Sequence, residues 1–163
     1  MISVQLSNLK TFTTHLLLQN TFDSFSLEKA SIVTAVEYSI DGRIHPGFYT
    51  GDDTPSQDDF ISWGEVKTCC LQVIKGKRAP LSFKFILHAP TETTRSLLAK
   101  LENEVLATQI QSLVLTIVYD GTSARCTSGC SYKSFIMDKS ADALWDDWMC
   151  KFLDDNSIPF NTL

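Results

Sequence analysis

Between Glu65 and Glu92 the chain has no aspartate or glutamate. Lys67, Lys75, Lys77, Arg78 and Lys84 all fall in that interval, five of the 14 basic residues of a chain whose formal net charge is −5. Positive charge is therefore concentrated. Its tightest cluster, Lys75-Gly76-Lys77-Arg78, falls at a turn, because Gly76 suits a helix C-terminus and Pro80 prevents continuation.

Other absences narrow the function class. No long apolar run exists: the densest, Leu113 to Tyr119, is far shorter than the roughly 20 residues a spanning helix needs. No membrane association is expected. The N-terminus lacks the basic start, apolar stretch and small-residue cleavage site of a secretory leader. The five cysteines are an odd number without a disulfide framework. Reduced thiols and a cytoplasmic location are the expectation. Cys126 and Cys130 have workable zinc spacing, but the second pair that zinc needs is missing. Phosphate-loop, nucleophile-elbow and His-Glu-x-x-His patterns are absent as well. No catalytic residue, metal or cofactor is assigned, and no motif supports a role for His15, His45 or His88. An isoelectric point near 5.1 argues against a general nucleic-acid coat, which must neutralise many phosphates.

What is present suits one domain spanning residues 1–163. The chain is 44% hydrophobic and 20% charged, and its ten Phe, three Trp and four Tyr supply the bulk of a core. Ile2 to Leu6 alternates as a short strand, and Ser7 can cap a helix carrying Leu9, Phe12 and Leu16. Ile32, Thr34, Val36, Tyr38 and Ile40 alternate with Val33, Ala35, Glu37 and Ser39, which puts the two sets on opposite sheet faces. Asp41-Gly42 then reads as a type I′ hairpin turn, with Arg43 to His45 returning. Ser62 and Glu65 form a capping box for a helix through Trp63, Val66, Cys70 and Val73, with Gly76 after its end. Leu81, Phe83, Phe85 and Leu87 alternate as a half-buried strand. Thr91 to Glu104 reads as a helix with Leu97, Leu98, Leu101 and Val105 inward. Leu113 to Tyr119, apolar on both faces, reads as a central strand. Asp120-Gly121 turns it into a returning segment, Ser123 to Met137, bent at Gly129. A final helix capped by Asp138 or Ser140 carries Leu144, Trp145, Trp148 and Phe152. The expectation is an α+β fold: a mainly antiparallel sheet of two hairpins and short strands, packed by about four helices.

Several segments carry a resemblance: the start Met1-Ile-Ser-Val-Gln-Leu6, Asn20-Thr-Phe-Asp-Ser-Phe25, the run Ile74-Lys-Gly-Lys-Arg-Ala-Pro-Leu-Ser-Phe-Lys84, and Asp138-Lys-Ser140 followed by Trp145-Asp146. Together they resemble a bacterial family of intracellular proteins without an assigned activity. The resemblance implies one cytoplasmic domain and transfers no catalytic residue.

Three surfaces remain as candidates. The first is the basic turn. Cations beside a helix C-terminus are favoured by about 0.3–1 kcal/mol each through the helix dipole, so Lys75, Lys77 and Arg78 need no ligand to be there. They could equally converge with Lys84 on a phosphate or carboxylate, Arg78 binding it in bidentate fashion. The second is an acidic loop with Asp52, Asp53, Asp58 and Asp59, whose spacing does not match a calcium-binding loop. It reads as a solvated loop. The third is the polar side of the last helix, with Asp142, Asp146 and Asp147, then Asp154 and Asp155 at its end. That acidic face could meet the basic turn of a second copy in a homodimer. The leading expectation is a binding module that recognises an acidic protein or a phosphate-bearing partner through Lys75, Lys77, Arg78 and Lys84. The alternative is a small enzyme for a phosphorylated or nucleotide-like substrate, which requires titratable groups converging beside that turn.

Overall fold

Period-two alternation builds one sheet. In the computed structural model, which describes residues 1–49, 51 and 58–163, seven strands run in the order β3-β2-β4-β5-β6-β1-β7. They are β1 (Ser3–Leu6), β2 (Ser26–Val33), β3 (Glu37–Asp41), β4 (Ser82–His88), β5 (Ile110–Tyr119), β6 (Ala124–Tyr132) and β7 (Phe160–Thr162), and every pairing is antiparallel. Five α-helices accompany them among the described residues: α1 (Leu9–Leu17), α2 (Trp63–Ile74), α3 (Thr91–Leu98), α4 (Glu104–Gln109) and α5 (Ser140–Asp155). The fold is α+β, and β5 is central in its sheet as its two apolar faces require.

One face of the sheet is covered and the other is open. Ala30, Ile32, Phe83, Phe85, Leu87, Leu115, Ile117 and Cys126 point to one side, where Phe12, Leu16, Trp63, Leu97, Leu106, Trp145 and Met149 of the helices join them in a single core. The alternate residues point the other way. Lys29, Ser31, Lys84, Ile86, His88, Thr116, Val118, Arg125 and Thr127 form that outer face, and none of them is buried. Aromatic packing joins α5 to the turn that follows α1. Trp145, Trp148 and Phe152 stack in sequence along α5, with centroids 5.0 and 4.9 Å apart, and Phe152 meets Phe22 edge-on at 5.3 Å.

Several sequence expectations give way. The first hairpin turns at Thr34–Val36, and Asp41-Gly42 instead ends β3. Gly42 is needed for closeness: its amide donates to the Glu28 carbonyl at 2.9 Å, and a Cβ there would lie 1.7 Å from the Leu27 carbonyl oxygen. Arg43 then bridges Phe60 and returns along no part of β2. Gly76 has no left-handed conformation. An extended Lys75 closes α2 (φ −68°, ψ 121°), donating its amide to the Leu71 carbonyl. Asn8, not Ser7, caps α1, accepting from the Thr11 amide at 3.0 Å. The Ser62 hydroxyl reaches the Glu65 carboxylate directly at 2.8 Å instead of a helix amide. The helix expected over 91–104 breaks after Leu98, because Asn103 caps a new one through the Val105 and Leu106 amides. Val105 consequently points outward, 70% exposed, and Leu106 takes its place in the core. The irregularity in the second hairpin falls at Gln111 in β5, and Gly129 pairs regularly with Val114.

Candidate functional site

The basic turn borders an apolar groove. Leu9, Lys10 and Thr13 from α1, Ile74 from the end of α2, Ala79 and Pro80 from the turn, Phe83 from β4 and Tyr119 from β5 enclose about 450 Å³. Phe83 and Tyr119 lie on the core face of adjacent strands and stack with centroids 5.0 Å apart. Leu81, at the neighbouring β4 entrance, is 68% exposed. Lys75, Lys77 and Arg78 form the loop that joins Ile74 to Ala79, all three exposed, and Lys10 adds a fourth exposed cation from α1. Among the described residues none of these four forms an ion pair.

The sequence explains why the groove has this sign. No acid precedes Asp23, and none lies between Glu65 and Glu92. Seven of the eight lining residues come from these two acid-free stretches, which the fold places side by side. The nearby acid on the β5–β6 turn, Asp120, is committed elsewhere. It accepts hydrogen bonds from the Thr122 and Ser123 amides and pairs with Arg125 at 3.8 Å, and those amides hold its carboxyl well below the usual range. Leucines, proline and aromatics ringed by unpaired cations can hold an apolar side chain while presenting ammonium and guanidinium groups to carboxylates or phosphates.

Lys84 does not join this constellation. It projects from the outer face between Ser31 and Val118, whereas α2 and the groove lie on the core side with Phe83. Lys10 takes its place, a residue sequence reasoning missed. The missed signal was the acid-free N-terminal stretch, which becomes informative only once α1 is placed beside α2. Among the described residues the groove lining holds no histidine, cysteine or carboxylate.

The remaining candidates fall elsewhere. Asp52 and Asp53 lie outside the described residues, while Asp58 and Asp59 are exposed beside Phe60. Asp142 and Asp146 are not on a solvated face. Asp142 is 7% exposed and accepts from the Tyr132 hydroxyl at 2.5 Å; Asp146 accepts from the Ser128 hydroxyl and pairs with the Met1 amino group at 2.9 Å. Both sit where α5 crosses β6, so the helix meets the sheet through a polar seam. Asp147, Asp154 and Asp155 stay exposed. His15 bonds the Thr21 hydroxyl at 2.8 Å, and His88 meets Glu28 on the outer face.

All five cysteines are free. Cys126 and Cys130 share one face of β6, and four residues of strand separate them by about 13 Å. Burial pushes the Cys70 and Cys130 thiols up to about 12, the neighbouring Cys69 and the carboxylate of Asp142 adding to it respectively. Burial alone does the same, more strongly, at Cys126. Only Cys69 is exposed. Alkylation of native protein at pH 8 should therefore modify one thiol most rapidly, mapped by peptide mass to Cys69, and the buried Cys70 and Cys126 only after unfolding.

Fold and groove together define an α+β domain with a one-sided antiparallel sheet and a basic, apolar surface site. Residues 15–161 match the model of a family described as Family of unknown function (DUF5721), and the chain belongs to that family. No curated protein and no solved structure gives a significant match. No helix of the described residues is long and apolar enough to cross a membrane.

Proposed function

We propose that this protein is an interaction module of the bacterial cytoplasm that captures an acidic, amphipathic segment of a partner protein. The partner's apolar side chains would enter the groove over Phe83 and Tyr119. Its carboxylates, or phosphates on its hydroxyl residues, would meet Lys10, Lys75, Lys77 and Arg78. One observation carries the reading: two acid-free stretches of sequence converge on a single apolar groove. Charge complementarity then names the partner's chemistry. Among the described residues the lining holds no histidine, cysteine or carboxylate, which favours binding over catalysis at this site. Free cysteines throughout suit a reducing compartment.

Selection of a displayed peptide library on the immobilised protein tests this. Enriched peptides should be net acidic with apolar residues at helical spacing. Their affinity should fall roughly tenfold in Lys77→Glu/Arg78→Glu, and should weaken as salt rises. Lys84→Glu should bind like wild type. A selection without acidic bias, or equal affinity in the charge-reversed variant, would sink the proposal. So would a groove already occupied by a second copy. In that case Asp147, Asp154 and Asp155 supply the acids, and the mass in solution rises with concentration at low salt and falls back in Lys77→Glu/Arg78→Glu.

A further inference from the structure

The outer face ends in a second cavity, of about 590 Å³, at the C-terminal end of β4. Unlike the groove, it gathers a histidine and carboxylates. His88 closes one wall, its Nε2 lying 2.5 Å from the Glu28 Oε2. Glu28 reaches it because β2 carries a bulge between Leu27 and Lys29, which places an extra residue opposite the end of β4. The imidazole is only 18% exposed. Phe60 covers it with ring centroids 4.7 Å apart, and the Arg43 guanidinium lies over the same Phe60 ring at 5.4 Å. Arg95 and Thr91 of α3 form another wall. Pro90 precedes α3 at the cap position and has no side-chain hydrogen bond to offer, so the helix's first amides have no partner of that kind.

We infer that this cavity is a separate binding site for a small molecule carrying one carboxylate or phosphate group, taken up together with a proton on His88. The chemistry follows from the pair. A carboxylate on Nε2 fixes the imidazole and leaves Nδ1, which has no protein partner among the described residues, for the ligand. Nδ1 repels an anion when bare and donates to it when the ring is protonated, so anion and proton enter together. Arg95 is available, because its contact to Glu92 at 2.6 Å is an exposed i,i+3 pair of small worth. Among the described residues the charged groups that line the cavity with His88 all enter the balance: Glu28 from β2, Arg43, Asp58 and Asp59, and Arg95 from α3. Asp58 and Asp59 are exposed, where water screens them. They disfavour a bulky polyanion more than a single anionic group.

Ring 15N shifts of His88, recorded at pH 7 while acetate and, separately, inorganic phosphate are titrated into the full chain, test the inference. At least one probe should move His88 saturably toward its protonated shifts, and the probe that does so separates a carboxylate from a phosphate ligand. Affinity should rise as the pH is lowered, because the proton on Nδ1 turns a repulsive lone pair into a donor. His88→Gln, able to keep the contact to Glu28, should abolish that pH dependence. Arg43→Ala/Arg95→Ala should weaken binding at least fivefold, and Lys77→Glu/Arg78→Glu should leave it unchanged, which separates this site from the groove. No saturable shift with either probe, or undiminished binding in the arginine variant, overturns it.

Discussion

Replacing Gly42 by alanine should cost about 4 kcal/mol and lower the melting temperature by on the order of 10 °C. The added Cβ would stand 1.7 Å from the Leu27 carbonyl oxygen and 2.7 Å from its carbon. Both are backbone atoms, so no rotamer change relieves the clash. The chain must separate by more than an ångström, and three hydrogen bonds hold it in place. Gly42 donates to Glu28 at 2.9 Å, Ile61 donates to Gly42 at 2.8 Å, and Leu27 donates to Ile61 at 2.8 Å. Breaking them frees the crossing segment that carries Arg43 and Phe60 over His88, so the same variant should also scatter the His88 ring signals. Two other glycines calibrate the result. Gly121→Ala meets one backbone oxygen at 2.9 Å and a φ of +97°, for an expected cost of about 1–2 kcal/mol. Gly129→Ala meets nothing within 4 Å and should be close to neutral. Denaturant melts of the three variants give the order directly. Gly42→Ala melting beside Gly129→Ala would show that the approach of the two backbones is not tight in solution.

Gly42 also shows where sequence and structure part. An Asp-Gly pair after an alternating run signals a hairpin through its tolerance of positive φ. Here the missing Cβ matters instead, and nothing local distinguishes the two uses. Thr34, Ala35 and Val36 carry no turn signal, so alternation runs unbroken through the real turn. The Leu97, Leu98, Leu101, Val105 spacing similarly bridges a break that Asn103-Glu104 marked as a new cap. Strands β4 and β5 and helices α2 and α5 were legible because each buries a regular stripe of large side chains. Cation placement at the basic turn was legible too. The groove beside it was not, since Leu9, Ile74, Phe83 and Tyr119 come from four elements. His88 and Glu28 stand 60 residues apart, joined by a bulge that no residue pattern announces.

The groove's walls depend on one buried tryptophan. Trp63→Ala should destabilise the fold by about 3–5 kcal/mol, from lost burial and the cavity left behind. Trp63 is fully buried at the first turn of α2, packed on Phe85 with centroids 5.0 Å apart. Its Nε1 donates to the Leu16 carbonyl of α1 at 2.8 Å, and its amide donates to Phe25 at 2.7 Å. The indole thus ties α1, α2 and β4 together, the three elements that supply Leu9, Lys10, Ile74 and Phe83 to the groove. Leu16 lies in the last turn of α1, where carbonyls have no partner within the helix. Truncation leaves that oxygen without its donor. Trp63→Phe separates the two losses, because it keeps most of the ring volume and removes the N–H; about 1–2 kcal/mol is expected. Equilibrium unfolding in urea measures both. If Trp63 acts as the clamp between α1 and α2, Trp63→Phe binds acidic peptide nearly as wild type does. Trp63→Ala, measured where it is still folded, loses affinity although every lining residue is intact. Equal affinity in the folded alanine variant would show that Leu9 and Lys10 hold their places without the indole, and that the groove is set by the turn and the sheet alone.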